Sequence, residues 1–148
     1  MQALFRLALV ALAALSLAAC GGDGDEESEA ASEGGRGTIT CEGSALSGDS
    51  GLPQGFPQLG ETTYVAAEDR GPTRVVDGFA TDELEGVYRE MKERLIEEEY
   101  TILFDELEED DSEISYRTPD GETEGIVALR AACDNGNVSV HITARPAG

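Results

Sequence analysis

Residues 81–105 read TDELEGVYREMKERLIEEEYTILFD, and the fold turns on a change of period inside that stretch. Leu84, Val87, Tyr88, Met91 and Leu95 recur at the spacing that gathers apolar side chains on one face of a helix. From Tyr100 the period drops to two: Tyr100, Ile102 and Phe104 alternate with Thr101, Leu103 and Asp105, which predicts a strand. Thr81 or Asp82 is placed to cap the helix, with Glu85, three beyond Asp82, reaching back in a capping box. Glu85 with Arg89 and Glu90 with Arg94 are favourable four-apart pairs on the wet side. Glu97, Glu98 and Glu99 oppose the helix dipole and mark the stop.

Working outward, Thr62 to Ala67 and Thr73 to Ala80 read as strands joined by turn residues Glu68-Asp69-Arg70-Gly71-Pro72, hence a hairpin. Before them, residues 42–60 (EGSALSGDSGLPQGFPQLG) are rich in Gly, Ser and Pro but carry Leu52, Phe56 and Leu59, the pattern of an ordered strap. After the helix, a short run carries Ile114 and Tyr116, and Pro119-Asp120-Gly121 makes a turn. Glu124 to Ala132 forms another strand, and Asp134-Asn135-Gly136 signals a further hairpin. In the last strand Val138, Val140 and Ile142 point one way, while Asn137, Ser139, His141 and Thr143 face water. The order is ββαββββ, an α+β domain with one helix packed on an antiparallel β-meander sheet. In outline this is similar to the cystatin-like arrangement and to small periplasmic domains of the PepSY kind. The likeness is one of architecture: the Gln-x-Val-x-Gly hairpin of cystatin inhibitors is missing, so no protease-blocking site carries over.

The first twenty residues, MQALFRLALVALAALSLAAC, hold one basic side chain, Arg6, and then an uncharged run of 13 residues from Leu7 to Ala19. A membrane span needs roughly 20 apolar residues, so this run has the length of a signal-peptide core. Leu17-Ala18-Ala19-Cys20 resembles the lipobox of bacterial lipoproteins. That resemblance, confined to this segment, implies cleavage before Cys20, a diacylglycerol anchor on its sulfur, added palmitate-type acylation, and a cell-membrane location on the extracytoplasmic side. At about 0.8 kcal/mol per buried CH₂, two or more chains hold a protein stably where one is marginal. An ordinary secretory signal with a chance cysteine is the other reading. Residues 21–37, GGDGDEESEAASEGGRG, then form an acidic tether whose composition favours disorder, with a coil span on the order of 20–25 Å. Asp23, Asp25, Glu26 and Glu27 lack the twelve-residue frame of a calcium loop. The organisation is therefore 1–19 signal peptide, 20–37 lipidated Cys and tether, and 38–148 a single domain. With Cys20 acylated, Cys41 and Cys133 remain as an even pair in an oxidising compartment and read as a disulfide.

Against 31 acidic side chains stand 10 basic ones, a net charge of −21, and Lys92 is the single lysine. Phosphate recognition needs clustered cations, so nucleic acid is excluded as a partner. The one histidine, His141, reads as a surface residue without a sequence-near partner. The densest acidic stretch, Glu106 to Glu113, reads as a solvated loop between the third and fourth strands. Within it Glu108, Asp110, Asp111 and Glu113 are the candidates for a divalent-cation or basic-partner site. Tyr64, Tyr88, Tyr100 and Tyr116 belong to the core or, if several share the open face, to an aromatic platform. Dinucleotide, phosphate-loop and Gly-x-Ser-x-Gly motifs are all missing. The expectation is a membrane-anchored, non-enzymatic binding or interaction module of the cell envelope, without cofactor, meeting an envelope protein or small ligand. One alternative is an envelope hydrolase, which needs a deep cleft holding carboxyls of raised pKa. The other is an acidic structural or cation-binding surface protein.

Overall fold

The apolar stripe forms the helix its period requires. In the computed structural model, which describes residues 38–148, helix α1 (Leu84–Glu97) buries Leu84, Val87, Met91 and Leu95. Residues 1–37, on which the expected signal peptide, the lipidated Cys20 and the tether fall, lie outside the described residues. Both four-apart pairs form, Glu85 with Arg89 at 3.8 Å and Glu90 with Arg94 at 3.5 Å. The capping box does not. Glu83 stands at the N-cap without a side-chain bond to the first turn, and Asp82 Oδ1 instead accepts from the adjacent Glu83 N–H at 2.8 Å. The helix thus starts one residue later than the capping signal implies, which leaves Asp82 outside the position from which a cap reaches the N3 amide.

The C-terminal end closes by geometry as well as by charge. Tyr100 N–H reaches Leu95 O at 2.9 Å and Glu99 N–H reaches Ile96 O at 3.1 Å, the paired bonds of a Schellman motif. Glu99 sits at φ +62°, a left-handed conformation that costs an L-residue with a Cβ and suits glycine. Glu99→Gly is therefore expected to stabilise the protein by about 0.5–1 kcal/mol, read as a higher urea midpoint at unchanged slope; a lower midpoint would contradict it.

The strands are β1 (Thr62–Arg70), β2 (Thr73–Ala80), β3 (Thr101–Leu107), β4 (Asp111–Arg117), β5 (Thr123–Arg130) and β6 (Val138–Pro146). They form one antiparallel sheet in the order β1-β2-β6-β5-β4-β3. Thus β3 to β6 make the meander expected, and the β1–β2 hairpin docks onto its far side through β2 and β6. The first turn is tighter than the sequence implied, because Glu68, Asp69 and Arg70 continue β1 and pair with Val75, Arg74 and Thr73. Only Gly71 and Pro72 turn the chain, with Gly71 at φ +63° supplying the left-handed first corner of a two-residue hairpin. The acidic run is also mostly strand: β3 extends to Leu107 and β4 begins at Asp111, so only residues 108–110 connect them.

A bulge overturns the alternation expected in β3. Register shifts between Ile102 and Phe104, so Leu103 is the extra residue and Phe104 leaves the core phase that Ile102 occupies. Phe104 pairs with Ser115 on the opposite face, while Asp105, expected on the wet side, turns toward the helix opposite Ile114.

The helix covers one face of the sheet, the front, where Val76, Ile114, Tyr116, Val127, Leu129, Val138, Val140 and Ile142 are buried beneath it. The strap joins this core as expected: Phe56 and Leu59 are buried and Leu52 packs against the cluster. Phe56, Tyr100 and Tyr116 form a ring trio with centroids 5.4–6.0 Å apart, in tilted and edge-on arrangements that add to the area buried. Tyr116 Oη donates to Thr143 O at 2.9 Å. The space under that bond belongs to Gly125, where a Cβ would lie 1.9 Å from Thr143 O and 2.6 Å from Tyr116 Oη. At the chain's entry, Cys41 and Cys133 are disulfide-bonded, as expected, with Cα atoms 5.4 Å apart.

Candidate functional site

The register lines up the back face in cross-strand rows, because residues directly opposite in an antiparallel pair project to the same side. One row is Arg117, Glu124 and Arg145. Beside it run Phe104, Ser115, Ile126, Thr143 and Val75, and then Glu106, Glu113, Ala128, His141 and Asp77.

At the β2–β6 end this face is not the wet surface that the alternation of the last strand implied. Ser139, His141, Asp77, Val75 and Ala128 are all buried. The entering chain crosses here: Thr40 N–H donates to Ser139 Oγ at 2.8 Å, and the Asn135 and Asn137 side-chain amides donate to Cys41 O at 3.1 and 2.8 Å. His141, expected on the surface and alone, is 8% exposed, and its Nδ1 meets Oδ1 of Asp77, 7% exposed, at 2.7 Å. The partner lies 64 positions away in sequence and is brought opposite by the β2–β6 pairing. A histidine and a carboxylate in this contact can orient one another for acid–base work. The groove on this face is lined by neither of them, so the pair is an internal polar tie.

The β3–β5 end is open. A shallow groove of about 280 Å³ crosses the back face from Leu103 on β3 to Thr73 on β2, lined also by Ser115, Glu124, Ile126, Thr143 and Arg145. Ile126, Leu103 and Phe104 are 37%, 47% and 51% exposed there, large apolar side chains gathered on one face. Glu124 accepts from Arg117 at 3.3 Å and from Arg145 at 2.9 Å. Those bonds, Arg117's first, hold its carboxyl below the usual carboxylate range.

A second polar cluster pins the helix to β3. Lys92 Nζ donates to Asp105 Oδ2 at 2.6 Å, and Tyr88 Oη donates to the same oxygen. The Lys92 bond, followed by that from Tyr88, lowers the pKa of Asp105. The bond to Asp105 raises that of Lys92, while partial burial and then Asp105 raise that of Tyr88. All three shifts favour the protonation states that hold the cluster together, so it carries no activated nucleophile or base.

Of the acidic candidates, Glu108 and Asp110 sit in the β3–β4 turn, where Glu108 N–H bonds Asp111 O and Asp110 O accepts from Ala131 N–H. Asp111 and Glu113 lie on the back face of β4. Among the described residues no three His, Cys, Asp or Glu side chains gather to hold a metal ion. The tyrosines make no platform on the open face, since Tyr64, Tyr88, Tyr100 and Tyr116 all belong to or pack against the front core. Among the described residues each carboxyl with a displaced pKa, Asp105, Asp120 and Glu124, is lowered, the direction of a bonded carboxylate and the reverse of a general acid's.

Sequence reasoning missed the open apolar face because it assumed unbroken alternation. The contiguous Ile102-Leu103-Phe104 run was the available signal, since three large apolar residues in a row cannot all face one side of a strand. No family model matches the chain, and no curated protein or solved structure is significantly similar to it. Among the described residues no helix is long and apolar enough to cross a membrane.

Proposed function

We propose that the chain is a membrane-anchored extracytoplasmic lipoprotein whose domain is a non-enzymatic binding module of the cell envelope. The observation that carries the binding reading is the shallow back-face groove with Leu103, Phe104 and Ile126 exposed around it. A hydrolase working through acids calls for carboxyls of raised pKa in a deep cleft, and the displaced carboxyls here go the other way. The anchor reading rests on Leu17-Ala18-Ala19-Cys20 and the 13-residue apolar run before Cys20. The Cys41–Cys133 bond accords with an oxidising compartment. Acyl attachment at residue 20 would leave the acidic stretch 21–37 between membrane and domain, raising the domain's effective concentration for partners held in the same envelope.

Intact-mass spectrometry of the chain from a lipoprotein-processing host tests the anchor. The expected mass begins at Cys20 and carries acyl chains, and Cys20→Ala loses both the acylation and membrane retention. A photo-crosslinking residue at position 126 tests the binding face in the same cells, with position 85 on the wet side of the helix as control. Discrete adducts at 126 that are missing at 85 are expected; identical patterns at the two positions would sink the binding reading.

A further inference from the structure

The sheet has two edges of different character. Along β1 the strap bonds the outer side, Leu46 N–H donating to Tyr64 O at 2.7 Å. Along β3, among the described residues, no backbone group of residues 101–107 bonds to anything on the side away from β4. Such an edge is a template for another strand. Its surface is apolar in the middle, with Leu103 and Phe104 about half exposed, and acidic at both ends. Glu97, Glu98 and Glu99 precede it, while Glu106 is its penultimate residue and Glu108, Glu109 and Asp110 follow it. Lys92, the single lysine, is engaged by Asp105. Across the strands Glu106 faces Glu113 directly, an unfavourable like-charge pair, and neither has a cationic partner among the described residues.

We infer that the β3 edge receives an extended peptide segment of a partner protein as a seventh strand, apolar at its centre and cationic at its ends. Main-chain bonds to β3 supply strand addition, and the flanking carboxylates select the charge. The same acids oppose a second copy of this chain, which would bring like charges together. At about 3.3 Å per residue, a nine-residue partner overreaches the seven residues of β3 by one at each end, enough to set terminal cations against the two acidic clusters. This inference rests on the binding reading above and names the partner's chemistry.

The probe is a fluorescein-labelled nine-residue peptide with two lysines at each end and alternating valine and threonine between, titrated into the full chain in zwitterionic detergent. Fluorescence anisotropy reads affinity, and amide hydrogen exchange reads location. Saturable binding is expected, with slowed exchange confined to residues 101–107. An analogue N-methylated at alternate residues on its bonding edge, or one with glutamate in place of the lysines, is expected to bind at least about tenfold more weakly. Glu106→Lys combined with Glu108→Lys is expected to weaken the parent peptide about tenfold. Equal binding of the N-methylated analogue would reduce the effect to charge alone and overturn strand addition. No binding, or a chain that already dimerises through β3 by sedimentation, would also overturn it. Slowed exchange over residues 123–127 and 143–145 without any over 101–107 would overturn the edge while leaving the binding module standing. Loss of position-specific crosslinking at residue 126 would instead remove the module itself.

Discussion

A Cys41→Ser/Cys133→Ser double variant is expected to lose about 4–5 kcal/mol of stability. The bond joins residues 92 apart and so closes most of the domain into one loop. Its absence releases conformations of the unfolded chain that the oxidised protein never visits. The folded state should change little, because Thr40 still bonds Ser139 and the Asn135 and Asn137 amides still hold Cys41 O. At roughly 4 °C per kcal/mol for a domain of this size, the melting midpoint falls by about 15–20 °C. Circular dichroism melts of the double variant and of the wild type in reductant should coincide. A midpoint within a few degrees of the oxidised protein would show that the disulfide constrains the unfolded chain very little.

His141→Ala is expected to cost about 3–5 kcal/mol, because it leaves the Asp77 carboxylate buried without its bonded partner. Asp77→Ala should cost less, about 1–3 kcal/mol, since an imidazole deprived of one acceptor strands a smaller polar burden than a carboxylate deprived of its donor. Replacing both at once with Leu should recover most of the loss, since apolar groups in place of both partners leave no polar atom stranded. Urea midpoints of the wild type, the two alanine variants and their combination close a double-mutant cycle. A coupling energy near zero would mean that the contact is incidental to stability. A catalytic role would predict the opposite profile, with stability nearly unchanged and an activity lost.

The elements differ in how much of them is legible in the sequence. Helix α1 is legible in full on its buried side, because Leu84, Val87, Met91 and Leu95 announce a face through spacing alone. Its N-terminus is not, since Asp82 and Thr81 are equally good capping residues and only the backbone conformation at Glu83 decides which amide is served. Strand β2 has the bounds its sequence implies, whereas β1 runs three residues further than its turn-rich composition suggests. There Asp69 is carried as strand by pairing with Arg74, whose side chain also bonds it at 3.2 Å, so cross-strand contact outweighs local turn preference.

Sequence by itself determined the fold class, the helix face, the strand order along the chain and the excess of acid. Each depends on residue type at short spacing, or on counting, and those are written in the chain. Only the tertiary structure decided that His141 meets Asp77, that Glu124 binds two arginines, and that Phe104 faces outward on an open sheet. The first two are cross-strand neighbours created by register between distant segments, and the third follows from one extra residue at Leu103. A one-residue shift in a strand exchanges its two faces, so the apolar face left open was fixed by a bulge that periodicity alone does not reveal.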